Sequence, residues 1–208
     1  MEAKVPSTPI NVKCNPDGMM EAVKIFSKGG IIIFPTDTVY GIGCDPFDKN
    51  AVRRIYNIKK RIPAKPLPVL TYSKETAKDI ACFDVNSEKI VDAMWPGPLT
   101  IILNISNEKL KSSLNIKDKI ALRVPEHECT LNLLKHCKYI VGTSANMSGM
   151  HATADPDECK KSMKGYDLLL DGGIIHNGIE STIVEMINGE LKIHREGRIK
   201  REDILSIL

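Results

Sequence analysis

The stretch Gly29–Asp48, GGIIIFPTDTVYGIGCDPFD, decides how the chain is read. Its apolar run, Ile31 to Phe34, has the length and β-branched content of a buried strand and stops at Pro35. Thr36, Asp37 and Thr38 then set two hydroxyls and a carboxylate at the strand end, and glycine turns follow at Gly41 and Gly43. A buried strand that empties into such groups delivers them to a ligand. The loop is not a phosphate loop of either common kind. A P-loop needs GxxxxGK followed by Ser or Thr, and a dinucleotide fingerprint needs GxGxxG directly after the strand. Here the lysine is missing and the glycines come late.

Outward from this strand, 17–28 has helical spacing with Asp17 as N-cap, and Lys49 to Lys60 is an amphipathic helix with Ala51, Ile55 and Ile58 on one face. Further helices are predicted at 87–94, 128–136, 157–163 and 201–208. LPVLTY, LTIILNI, KIALRVP, YIVGTSAN, DLLLDGG, STIVEMI and ELKIHRE read as short strands. LTIILNI and KIALRVP form a pair, and NGE turns the chain before the last strand. The alternation lacks a regular βαβ rhythm. It predicts an α/β fold, a twisted open mixed sheet with flanking helices, in a single domain over 1–208.

Apolar content of 42% and charged content of 26% fit a soluble globular domain. The apolar runs are too short to span a bilayer, and MEAKVPSTPI has no apolar signal core, so a cytoplasmic protein is expected. Six cysteines are scattered without a CxxC pair, which argues for reduced structural thiols over a zinc site or a disulfide framework. The net charge of +3 permits an anionic ligand without pointing to nucleic acid.

The basic residues are better placed than their sum suggests. Lys59, Lys60, Arg61 and Lys65 lie close together in KKRIPAKPLPVL, stiffened by Pro63 and Pro66. A stiff cationic loop binds an anion with less loss of side-chain entropy. VGTSANMSG, residues 141–149, repeats the logic of the first loop, with Ser144 and Asn146 as hydrogen-bonding groups after a strand. Arg123 ends KIALR, Ser181 and Thr182 stand in GIESTIV, and Arg195 in IHREGRI. Cys44 has no histidine partner in view, the five histidines show no ligand spacing, and Trp95 in WPGP reads as a packed corner.

Taken in order, FPTDTVYGIG, Lys59 and Arg61 before KPLPVL, WPGPLTIIL, ALRVP, TSANMSG, ESTIV and REG resemble the family of Sua5, YrdC and YciO proteins. The likeness runs from about Asp17 to Ile199. It implies a sheet around a large, positively charged cavity and the activity of a threonylcarbamoyl-AMP synthase, which joins L-threonine, bicarbonate or CO2, and ATP with release of pyrophosphate. That product serves t6A modification of tRNA at position 37. The resemblance assigns Thr38, Arg123, Thr143 and Ser181 to threonine. It assigns Arg61, Lys65, Ser144, Asn146 and Arg195 to the nucleotide, and Lys59 with Arg61 to catalysis. Mg²⁺ is implied with ATP, and no protein metal ligand. Implied partners are a downstream threonylcarbamoyl-transferase complex and tRNA or double-stranded RNA, with no membrane.

Departures from the family pattern are Thr143 where proline is commoner, and Leu70 where some members have a histidine. The chain corresponds to the short, YrdC-type form, without the C-terminal domain of larger members. The alternatives are a non-catalytic binder of tRNA or double-stranded RNA, a YciO-like protein of different activity, and a related carbamoyl-handling activity. The low aromatic content, 5%, argues against single-strand stacking.

Overall fold

The computed structural model describes residues 8–176 and 178–208, so the stretch read for a signal core lies, over 1–7, outside the described residues. In chain order the elements are β1 (Ile10–Lys13), α1 (Pro16–Phe26), β2 (Ile32–Phe34), β3 (Gly41–Gly43), α2 (Lys49–Lys59), β4 (Val69–Thr71) and α3 (Lys74–Lys78). Next come β5 (Ala81–Cys82), α4 (Val85–Met94), β6 (Leu99–Ile105), α5 (Glu108–Leu114), β7 (Lys119–Arg123), α6 (Glu128–Cys137), β8 (Tyr139–Val141) and β9 (Thr143–Ser144). The chain closes with α7 (Pro156–Ser162), β10 (Leu168–Asp171), β11 (Thr182–Ile187), β12 (Glu190–Arg195) and α8 (Arg201–Leu205). No helix among the described residues is long and apolar enough to cross a membrane.

The strands form two mixed sheets. One has the order β1-β10-β2-β3-β9, and the other β12-β11-β6-β7-β4-β8 with β5 against β6. The run that opened the reading is continuous because both faces of its strand are buried. Ile31 and Ile33 point into the larger core, and Ile32 and Phe34 into a second one under α1 and α6. The expected pair β6 and β7 is antiparallel, and β11 and β12 are joined by Asn188 and Gly189, both at positive φ, as the NGE turn requires.

Three strands escaped the reading for a physical reason. β1 is a half-exposed edge strand, β5 is only two residues long, and β3 is only Gly-Ile-Gly, which looks like a turn. The glycines of β3 are there for closeness of approach: a Cβ on Gly43 would stand 1.8 Å from the carbonyl oxygen of Val141. That approach is the seam of the molecule. Val141 N donates to Cys44 O at 2.9 Å, and the chain passes through Gly142 from β8 in one sheet to β9 in the other.

The cysteine expectation needs correction. Cys14 and Cys129 are joined in a disulfide with a Cα–Cα separation of 6.0 Å. Cys14 precedes the N-cap of α1 and Cys129 lies in the first turn of α6, helices that pack together 115 residues apart, so no local spacing announces the pair. Cys44, Cys82, Cys137 and Cys159 are free thiols. Cys44 is fully buried, and burial pushes its thiol far above the usual range, which suits a core residue rather than a nucleophile. Trp95 packs edge-on against Phe83 and donates to Leu99 O at 2.8 Å.

Candidate active site

At the seam between the sheets lies a cavity of about 380 Å³, at the lower end of the range for small-molecule sites. Thr38, Lys59, Arg61, Lys65, Arg123, Thr143, Ser144, Asn146, Ser181 and Arg195 all line it. The structure therefore brings together, in one place, every site residue named from the sequence. A wider groove of about 1150 Å³ runs between α1 and α6 and contains none of them.

The KxR segment is held by the end of α2. Asp48 caps the helix start through Asn50 N and Ala51 N, and Lys60 ends it in the left-handed conformation, φ 49°. The last helical residue, Lys59, is 1% exposed and turns its ammonium inward. Nζ donates to Ser144 O, to Asn146 O at 2.7 Å and to Asn146 Oδ1 at 3.2 Å. Its three N–H groups are thus spent on the SAN loop. Burial, then the charge of Arg61, push its pKa down to about 8.

The SAN loop is closed on itself as well. Ser144 Oγ donates to Asn146 Oδ1 at 2.7 Å, and Ser148 N returns to Lys59 O at 2.9 Å. Ser144 is fixed by pairing with Gly41 across β3 and β9. Arg61 has turned outward from α2 and folds its guanidinium onto the proline loop, Nε to Lys65 O and Nη2 to Pro66 O, each at 2.9 Å. The loop is therefore stiffened by Arg61 as well as by its prolines.

Arg123 stands at the end of β7, 6% exposed. Nε donates to Gly97 O at 2.9 Å, Nη1 to Thr38 Oγ1 at 3.1 Å, and Nη2 to Asp37 Oδ1 at 2.5 Å. Thr38 Oγ1 also pairs with Thr36 Oγ1 at 2.9 Å. Just before β11, Ser181 Oγ pairs with Thr100 Oγ1 at 2.9 Å, and Arg195, the last residue of β12, grips Ser181 O through Nε and Nη2. Arg195 Nη1 meets Glu180 Oε1 at 2.7 Å.

Four contributors were given no place in the site by the sequence reading. Thr36 and Thr100 complete hydroxyl pairs, Glu180 partners Arg195, and Asp37 partners Arg123 from outside the cavity lining. Thr36 and Asp37 lay in the quoted PTDT, Thr100 in WPGPLTIIL and Glu180 in ESTIV, but only their distant partners reveal what they do. Leu70, at the departure noted above, lines the cavity and packs against Gly142, where a Cβ would stand 2.5 Å from Leu70 Cγ.

Five cationic side chains face one carboxylate, Glu180, among the residues lining this cavity. Hydroxyls complete it, and its three arginines, Arg61, Arg123 and Arg195, are all buried or half-buried. Such a site recognises a polar, anionic small molecule. The family model described as "Telomere recombination", that of Sua5, YciO and YrdC proteins, matches residues 24–197, and the chain belongs to this family.

Among curated relatives, the threonylcarbamoyl-AMP synthase of Pyrococcus abyssi is 30% identical over 190 residues, covering 90% of this chain and 56% of that protein. The chain thus spans little more than half the length of that relative. The crystal structure of P. abyssi Sua5 complexed with L-threonine superposes with a TM-score of 0.87 at 29% identity, over 97% of this chain and 61% of that one. The structure of E. coli YciO superposes with a TM-score of 0.85 at 25% identity, over 95% and 99%.

Proposed function

We propose that this protein is a threonylcarbamoyl-AMP synthase, making threonylcarbamoyl-adenylate and pyrophosphate from L-threonine, CO2 or bicarbonate, and ATP. The observation that supports this most is the union in one cavity of Arg123 and Thr38 with the Lys59-braced SAN loop, Arg61 and Arg195. In this reading a carboxylate-reading group and a polyanion-reading group share one small cavity. The names of the relatives point the same way.

In this reading the threonine amine adds to CO2, giving a carbamate. A carbamate oxygen attacks the α-phosphorus of ATP, and the bond to pyrophosphate breaks in line. Arg123 and Thr38 hold the threonine carboxylate, with Thr143 and Ser181 completing its pocket. Ser144 and Asn146 bind the nucleotide, while Arg61, Lys65 and Arg195 offset charge on the triphosphate. Arginine suits both anions because its fork takes two oxygens at once. Lys59 acts by holding the SAN loop at the reacting phosphate, since its own donors are engaged there. Fixed donors of this kind stabilise the transition state without reorganising.

Mg²⁺ enters as part of the MgATP substrate. The described residues contain no cluster of three or more His, Cys, Asp or Glu, and Glu180 is engaged by Arg195. The donor set does not fit a resident metal, and no step runs through one. The product is an activated, water-labile anhydride, which suits hand-over to the enzyme that modifies tRNA.

The test is pyrophosphate release from MgATP, omitting threonine and bicarbonate in turn, with the adenylate identified by mass. Release that needs both co-substrates, and falls sharply in Arg61→Ala and Arg123→Ala, is the expected result. The likeness to YciO over almost its whole length supports a second reading, a different activity in the same cavity. ATP binding without threonine-dependent turnover is its signature. Binding of RNA that weakens steeply with salt marks the non-catalytic alternative.

A further inference from the structure

We infer that Asp37 is a positioning residue that makes the cavity selective for zwitterionic amino acids over simple carboxylic acids. The inference rests on the reading of Arg123 as the carboxylate-binding group.

Three observations carry it. First, Arg123 and Asp37 form a buried ion pair, their side chains 7% and 6% exposed, with Nη2 to Oδ1 at 2.5 Å. Second, Arg123 lines the cavity and Asp37 does not, so the Asp37 carboxylate reaches a ligand's carboxylate through the guanidinium it pairs with. Asp37 is itself anchored there by Glu126 N, which donates to Oδ1 at 3.1 Å. Third, Arg123 has spent one N–H from each nitrogen, on Gly97, Thr38 and Asp37. A guanidinium carries five N–H groups, so one remains on each terminal nitrogen, the number that a bidentate carboxylate takes.

The charge count follows. Arg123 with Asp37 is a neutral pair. A ligand carboxylate placed on it leaves one uncompensated negative charge in a buried setting, and such a charge is costly. An amino acid brings its own ammonium and leaves the group neutral. Lys59 is spent on the SAN loop, Arg61 and Lys65 are read as serving the nucleotide, and the cations that act on Arg123 itself, Arg195 and Arg198, do not change this result. Arg195 is paired with Glu180, and Arg198 is exposed, reaching only the backbone oxygen of Asp37. Asp37 also has a buried oxygen, Oδ2, with no partner among the described residues, so protein donors leave its charge only partly spent on Arg123.

The test measures binding of L-threonine and of 3-hydroxybutyrate, its deaminated analogue, to the full chain by calorimetry. The intact protein is expected to prefer threonine by at least ~10-fold, and Asp37→Asn, which keeps shape and an acceptor oxygen, to bring the ratio close to unity. A loss of packing alone would weaken both ligands alike and leave the ratio unchanged. An unchanged ratio in Asp37→Asn overturns the inference. So does equal binding of the two ligands by the intact protein, a measurement that stands if the variant does not fold. Arg123→Lys separates the two levels. If it weakens both ligands while Asp37→Asn leaves their ratio alone, only the role of Asp37 falls. If it leaves threonine binding untouched, the reading of Arg123 falls and takes this inference with it.

Discussion

Lys59 Nζ sits 2.7 Å from the backbone oxygen of Asn146 and 3.2 Å from its side-chain Oδ1, fully enclosed and facing no carboxylate within ion-pairing distance among the described residues. The arrangement predicts an unusual pH dependence of stability. Burial lowers the folded pKa to about 8, below the ordinary lysine value. Between these values the unfolded chain binds more protons than the folded one, so stability rises with pH. The full cost of charging the buried amine is carried below pH 8 and is relieved toward pH 10, by up to ~3 kcal/mol. Urea unfolding at pH 7.5 and 9.5 should show this rise, and Lys59→Met should flatten it. The same variant should lower turnover by releasing the SAN loop.

How much of this was legible depends on how local the cause is. Ile31 to Phe34 announced a strand buried on both faces, because a continuous apolar run has no other use at that length. Arg123 could be picked out as a cation at a strand end before Val124 and Pro125. The meaning of Asp37 could not, although it stood in the quoted stretch, since its partner lies 86 residues away. By charge alone Lys59 looked like one of four helix-end cations; the family resemblance singled it out with Arg61, and the tertiary fold shows it fully buried beside its exposed neighbour Lys60. β3 was hidden because Gly41 and Gly43 serve close approach, not a turn. The single expected sheet is two sheets for the related reason that the seam is made by backbone, at Val141 and Cys44.

The Cys14–Cys129 bond closes a long loop and predicts sensitivity to reductant. Cross-linking residues 115 positions apart restricts the unfolded chain, a contribution of about 2–4 kcal/mol in typical proteins. The denaturation midpoint should fall on reduction with dithiothreitol, and a Cys14→Ser, Cys129→Ser double variant should match the reduced protein and ignore the reductant. An intact protein whose midpoint does not move under complete reduction would show that the packing of α1 on α6 carries the whole effect.

Arg54 and Asp167 make a second buried contact that touches no ligand. The Asp167 side chain, 3% exposed, accepts from Arg54 Nη2 at 2.9 Å and from Ile31 N at 2.6 Å, tying α2 to the start of β2. Removing Arg54 leaves a buried carboxylate without its cation, which costs roughly 3–5 kcal/mol. Arg54→Ala should therefore lower the melting temperature by many degrees. Asp167→Asn, which retains an acceptor for Ile31 N, should cost less. At a temperature where both stay folded, turnover should be close to that of the intact protein, and a selective loss of threonine affinity would contradict the assignment.

Selectivity for the amino acid side chain gives a test of the proposed pocket itself. Hydroxyls from Thr36, Thr38, Thr100 and Ser181 occur in two hydrogen-bonded pairs within the cavity. A ligand hydroxyl can join such a pair, but an apolar group of the same size leaves buried polar groups facing nothing. Valine matches threonine in shape and lacks the hydroxyl; serine keeps the hydroxyl and lacks one methyl. Loss of a methyl costs only about 10–200-fold, whereas a site built to bond a hydroxyl rejects its absence by ~10⁴-fold or more. The order of kcat/KM should be threonine, then serine, then valine far below. Ser181→Ala should shrink the gap between threonine and valine more than the gap between threonine and serine. If valine were used better than serine, the pocket would be reading shape rather than the hydroxyl.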